Sequence, residues 1–156
     1  YGEIFRLMIG TGLRIGEVCN RNIDKDIDNG MLIIRANPEL KWKPKSQSSW
    51  RRVPIDAKAE KALRAFYAEG FKPDTNAKNL RTTVRNYFDD PLLVVHSCRH
   101  SFKTLARMNQ LDIAVSDEIS GHAKVTVSKT ADGYGSYPDA LLKQECQKVY
   151  DYIDKL

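Results

Sequence analysis

The stretch His96-Ser97-Cys98-Arg99-His100-Ser101-Phe102-Lys103 decides how this chain is read. At about 3.6 residues per turn, a helix here puts His96, Arg99, His100 and Lys103 on one stripe and Cys98, Phe102 and Leu105 on the opposite one. One face is packed and the other is presented. A guanidinium flanked by two imidazoles suits an oxyanion with charge spread over several oxygens, because Arg offers a planar fork of donors and His also moves protons. Phosphate is the expected target. Two plainer readings stand beside it. His at i and i+4 can bind zinc, but Cys98 points to the wrong face and no carboxylate occupies the metalloprotease position. An ordinary amphipathic helix with a polar outer face needs no ligand at all.

Working outward, this helix extends to about Gln110, and residues 92–95 read as a short buried connector ahead of it. The helix before that is opened by Asn76 and closed by Pro91, with Leu80, Val84, Tyr87 and Phe88 inward and Lys78, Arg81 and Arg85 outward. On the other side Asp112 caps a helix over Ile113–Ser120, Gly121 terminates it, and His122 follows the break. Residues 123–137 are polar, with Gly133 and Gly135 around Tyr134, and read as a loop or frayed helix. Pro138 starts a last helix with Leu142, Cys146, Val149, Tyr150 and Ile153 on one face.

Toward the N-terminus, Ile4, Phe5 and Met8 have helical spacing, Thr11-Gly12 stops that helix, and residues 14–19 start another with Arg14 at its head. The period changes over residues 24–55. Met31-Leu32-Ile33-Ile34-Arg35 is a β-branched run after the Asn29-Gly30 turn signal, and Arg51-Arg52-Val53-Pro54-Ile55 returns as its partner. A small antiparallel sheet is expected there, with a long polar tip over residues 37–50 that interleaves Trp42 and Trp50. Asp56 then caps a helix with Ala59, Ala62, Leu63 and Phe66 inward, ended by Gly70. The fold class is mainly α (α+β), as a single domain over all 156 residues.

A chain that is 42% hydrophobic can bury a core of its own, and no apolar run approaches membrane-spanning length, so no membrane partner is expected. Without a starting Met or a signal peptide it reads as a piece of something longer. Cys19, Cys98 and Cys146 are odd in number and each sits in an apolar stripe, which favours buried thiols in a reducing cytoplasm. The net charge is +5, and its distribution is informative. Between residues 35 and 52 stand Arg35, Lys41, Lys43, Lys45, Arg51 and Arg52 against Glu39 alone. Such a segment attracts a phosphate backbone through counterion release, although a solvated basic loop has the same composition.

In order along the chain, the residues that carry chemistry are Thr11-Gly12-Leu13-Arg14-Ile15-Gly16-Glu17, Lys45-Ser46 ahead of Arg52-Val53-Pro54-Ile55, His96-x-x-Arg99-His100, Gly121-His122 and Tyr134. This set resembles the tyrosine recombinase (phage integrase) family over nearly the whole chain. The resemblance implies a helical catalytic domain with a small hairpin, lacking the N-terminal DNA-binding domain that family members usually carry. It implies that Arg14 and Arg99 clamp the scissile phosphate, Lys45 is the general acid, His96 handles a proton, His122 supports the phosphate and Tyr134 is the nucleophile. Glu17 matches an acidic position that buttresses the site. The spacing from His122 to the tyrosine is a few residues longer than the commonest family pattern, and Tyr137 also lies near. Tyr134 is preferred because its Gly-Tyr-Gly setting resembles integrases of prophages and genomic islands. Lys41 and Lys43 share the hairpin with Lys45, which is chosen on its distance from Pro54.

The implied activity is site-specific DNA cleavage and rejoining through a 3′-phosphotyrosyl intermediate, with no cofactor, metal or ATP. The implied partners are duplex attachment-site DNA, met by Lys41, Lys43, Arg51, Arg52, Arg81 and Arg85, and further copies of the protein in a tetrameric synapse. The implied location is the bacterial cytoplasm, at the nucleoid during recombination. A type IB topoisomerase and a DNA-binding module that has lost catalysis are the alternatives.

Overall fold

Ile4, Leu7 and Met8 share one face of α1 (Gly2–Thr11) and all three are buried, as their spacing demands. The helix stops at Gly12, whose φ of 70° is left-handed and whose amide donates to the Met8 carbonyl. A Cβ on Gly12 would lie 2.9 Å from the Phe102 ring and 3.0 Å from Ser120 Cβ, so glycine is required for space as well as for backbone. The computed structural model describes residues 1–46, 49–68, 70–122 and 136–156.

After this turn come α2 (Ile15–Cys19) and α3 (Ile23–Asp26), then the strands β1 (Ile27–Asp28), β2 (Met31–Ile34) and β3 (Arg51–Pro54). They form one antiparallel sheet in the order β1-β2-β3, with Ile27 opposite Leu32 and Leu32 opposite Val53. Asn29 and Gly30 both have positive φ and make the tight turn their sequence announces. The sheet starts later than residue 24. Asn22 accepts a hydrogen bond from the Lys25 amide and caps α3, so residues 23–26 wind into a helical turn instead of extending. Residues 37–42 of the hairpin tip also form defined turns. Asn37 caps a 3₁₀ turn over Pro38–Leu40 and pairs with Trp42 in an isolated bridge, and Trp42 lies against the Arg21 guanidinium, 4.5 Å from ring centroid to Cζ.

The remaining elements are helical: α4 (Ala57–Phe66), α5 (Pro73–Tyr87), α6 (Ser97–Met108), α7 (Ile113–Ser120) and α8 (Asp139–Ile153). Asp56 and Asp112 cap α4 and α7 as expected. In contrast, α5 begins at Pro73, with Asn76 inside its first turn accepting from the Lys72 amide. Only Leu80 and Val84 of α5 are buried; Tyr87 is 81% exposed and Phe88 53%, contrary to their expected inward placement. The helix packs on the short α2, and Tyr87 and Phe88 border an open apolar groove with α1 and the start of α6. The connector is likewise exposed at Leu92, Leu93 and Val94, and only Val95 enters the core.

The core forms around α1, which packs against α4, α6 and α8, while α8 also covers β3 and α7. The last helix therefore closes the core of its own chain. Cys19, Cys98 and Cys146 are buried thiols, and burial pushes Cys19 up to about 12 and Cys98 to about 11. Arg6, beneath α8, binds Asp154 and Asp56 at 2.6 and 2.7 Å and lies over the Tyr150 ring.

Candidate active site

Arg14 is the N-cap of α2, directly after the Gly12 turn, and its side chain is 30% exposed. Its amide donates to Glu17 Oε2 at 2.8 Å and its Nη1 to Glu17 Oε1 at 3.0 Å, so the carboxylate three residues on fixes both backbone and guanidinium. A cleft of ≈ 330 Å³ opens beside it, between α2, the hairpin and the start of α6. Arg14, Trp42, Lys43, Lys45 and His96 line it. Two hairpin lysines thus reach the same cleft as Arg14 and the first histidine. Lys41 is exposed at the end of the 3₁₀ turn with φ 51°, outside the lining, and Arg81 and Arg85 stand exposed on α5, also outside it.

His96 is the exposed N-cap of α6, and its ring meets His100 edge-on at 5.1 Å. Burial, followed by the charges of His100 and Arg99, lowers its pKa, so it is poised as a neutral proton acceptor. Arg99 is not on the presented stripe that helical spacing assigned to it. It is 3% exposed, and its Nη1 donates to the carbonyls of Gly12, at 2.6 Å, and of Ser120. Lys103 is also drawn inward, onto Asp117 of α7. Both depart from the amphipathic reading because α7 and the Gly12 turn pack over this side of α6 and satisfy its cations with their own oxygens.

His122 follows the left-handed Gly121. Its Nδ1 lies 3.2 Å from Arg99 Nη2 and 2.8 Å from Ser120 Oγ. A guanidinium only donates, so Nδ1 accepts and the ring proton sits on Nε2. Burial and then the charge of Arg99 lower the His122 pKa to about 4, which keeps the ring neutral at physiological pH. Burial and the charge of Arg14 bring Arg99 down to about 10, still a cation there. A cationic floor with an oriented neutral imidazole above it fits a phosphate that gains charge during reaction.

Two expected DNA contacts sit elsewhere. The Arg51 side chain is 3% exposed and bound to Glu17, so it does not meet a duplex. Strand alternation holds the signal for this, since Arg51 shares its face with the buried Val53. Arg52, on the other face, is 36% exposed and bonds Asp139 at 2.8 Å and Asp28 at 3.1 Å, joining β3 to the start of α8. Sequence reasoning also missed Ser120, although it stands two residues before His122. Tyr134 lies outside the described residues. Tyr137 is half-buried against the core, and its amide donates to Glu118 Oε1 at 3.0 Å.

No protein-family model matches the chain. It is 28% identical to the tyrosine recombinase XerA of Thermococcus onnurineus, covering 81% of this chain and 48% of that protein. It is 27% identical to the tyrosine recombinase XerC of Myxococcus xanthus, covering 95% and 52%. The chain spans about half the length of these curated relatives. In fold it is similar to the Tn1549 transposon integrase, solved in complex with a circular intermediate DNA, with a TM-score of 0.57 and 21% identity over 94% of this chain and 58% of that one.

Proposed function

We propose that this chain, a catalytic domain of the tyrosine recombinase kind by its sequence and fold, cleaves and rejoins DNA strands through a covalent 3′-phosphotyrosyl intermediate. The observation that carries the reading is the cleft that gathers Arg14, Lys45 and His96; Arg99 and the neutral His122, bonded to each other outside its lining, both feel the charge of Arg14. In the proposed reaction the Tyr134 phenol oxygen attacks phosphorus and gives up its proton to His96. The bond to the 5′-oxygen breaks, and that oxygen takes a proton from Lys45. Arg14 and the Nε2–H of His122 hold the non-bridging oxygens, and Arg99 supplies charge from beneath. The 5′-hydroxyl of another strand reverses the step, so the phosphodiester energy is preserved without ATP.

The partner is duplex DNA carrying an attachment site, approached by the hairpin through Lys41 and Lys43, with Arg81 and Arg85 as outlying phosphate contacts. Further copies of the protein assemble on that DNA as a tetramer, in the cytoplasm at the nucleoid. Among the described residues no helix is long and apolar enough to cross a membrane.

Incubation with nicked attachment-site duplex tests the reading. A protein–DNA adduct that resists denaturant and forms in EDTA is expected, because the cationic side chains already stabilise the added charge. An adduct that disappears with EDTA and returns with magnesium contradicts the metal-free step, and no adduct at all leaves a DNA-binding module.

A further inference from the structure

Glu17 is a carboxylate with 2% exposure that lies against the cation meant for the substrate. Paired with Arg14 alone, it cancels that charge and weakens Arg14 as a partner for a phosphate. Arg51 changes this balance. Its Nη1 donates to Glu17 Oε1 at 3.0 Å and its Nη2 to Oε2 at 3.1 Å, so each carboxylate oxygen is shared between Arg51 and the Arg14 residue. Two guanidiniums around one carboxylate leave a net positive charge, and only Arg14 is exposed enough to present it.

The other donors of Arg51 tie down the rest of the site. Nε donates to the Ile119 carbonyl at 2.8 Å, in the last turn of α7 and three residues before His122. Nη1 also donates to the Ser49 carbonyl at 2.9 Å. The Ser49 hydroxyl meets Arg14 Nη1 at 3.4 Å and Ser46 Oγ at 3.0 Å, next to Lys45. A Cβ on Gly121 would lie 2.7 Å from Arg51 Cζ, so the main chain leading into His122 is pressed onto this guanidinium. One buried side chain therefore joins the segments that carry Arg14, Lys45 and His122.

We infer that Arg51 is a positioning residue of this site: it compensates Glu17 so that Arg14 remains a free cation for the scissile phosphate, and it fixes the hairpin and the His122 turn around that cation. The role rests on the DNA-cleavage reading. An ammonium cannot replace it, because a single point charge does not fork on a carboxylate while also bonding Ile119 and Ser49.

The test is the single-turnover rate of adduct formation on nicked duplex at saturating DNA, with DNA affinity and melting temperature measured on each variant. Arg51→Gln should slow the rate by about a hundredfold, and Arg51→Lys by about tenfold with affinity near wild type. Adding Glu17→Gln to Arg51→Gln removes both charges, releases Arg14 and should recover about tenfold of the rate. A purely structural role predicts no such recovery. A double variant no faster than Arg51→Gln at equal melting temperature overturns the proposal, as does a wild-type rate in Arg51→Lys, which also serves if Arg51→Gln does not fold. A wild-type protein that forms no adduct overturns the cleavage reading itself and the role of Arg51 with it.

Discussion

His122 and Arg99 share a hydrogen bond that dictates which ring nitrogen is free for substrate. Burial, and after it the charge of Arg99, makes protonation of His122 unfavourable in the folded state, with a pKa lowered to about 4 against an ordinary value near 6.5. The unfolded chain then binds more protons than the folded one between those values, so stability is full above about pH 6.5 and declines as pH falls toward about 4. Thermal melts from pH 8 to pH 4.5 should show this decline, and His122→Asn should flatten it. At this scale the sequence was informative about which residues meet and less so about how. Arg14, Lys45 and His96 were legible as a constellation, whereas the burial of Arg99 was not, and that of Arg51 was signalled only by the strand face it shares with Val53. Helical or strand phase reveals which face a residue is on, but not that a neighbouring turn will cover that face with carbonyls and a carboxylate.

The hairpin between β2 and β3 is the element whose composition and placement agree best. Lys43 and Lys45 line the cleft and Lys41 stands outside it. Replacing Lys41 and Lys43 with Ala should therefore weaken DNA binding and flatten its salt dependence, by about one unit of slope for each phosphate no longer neutralised. Lys45→Ala should instead slow cleavage with binding nearly intact, and a 5′-thiol leaving group, which needs no proton, should restore the rate. A Lys45→Ala protein that the thiol does not rescue contradicts the general-acid role of Lys45. Caps and turns made the elements readable: Asp56, Asp112, Gly12, Gly121 and Asn29-Gly30 all act locally, through bonds and φ values the residues themselves prefer. The outward Tyr87 and Phe88 were unreadable for the converse reason, since they border an open apolar groove with α1 and the start of α6 that helical phase does not reveal.

Across the whole molecule, the core is built on α1 packed against α4, α6 and α8, and Arg6 pins three of the chain's segments together through Asp56 and Asp154. Its side chain is 7% exposed and its partners 17% and 42%, so Arg6→Met should cost about 2 kcal/mol in urea unfolding, below the full value for a buried pair. The mainly helical class with a small antiparallel sheet was legible from period and turn signals, and the packing of α8 on its own chain was not, because an apolar stripe fits a neighbour as well as its own core. The central claim is that Tyr134 becomes covalently joined to DNA in the cleft beside Arg14. Peptide mapping of the trapped adduct by mass spectrometry tests it most directly. A phosphotyrosyl nucleotide on Tyr134, abolished by Tyr134→Phe and retained in Tyr137→Phe, is the predicted result; an adduct on Tyr137, or none on any tyrosine, contradicts it.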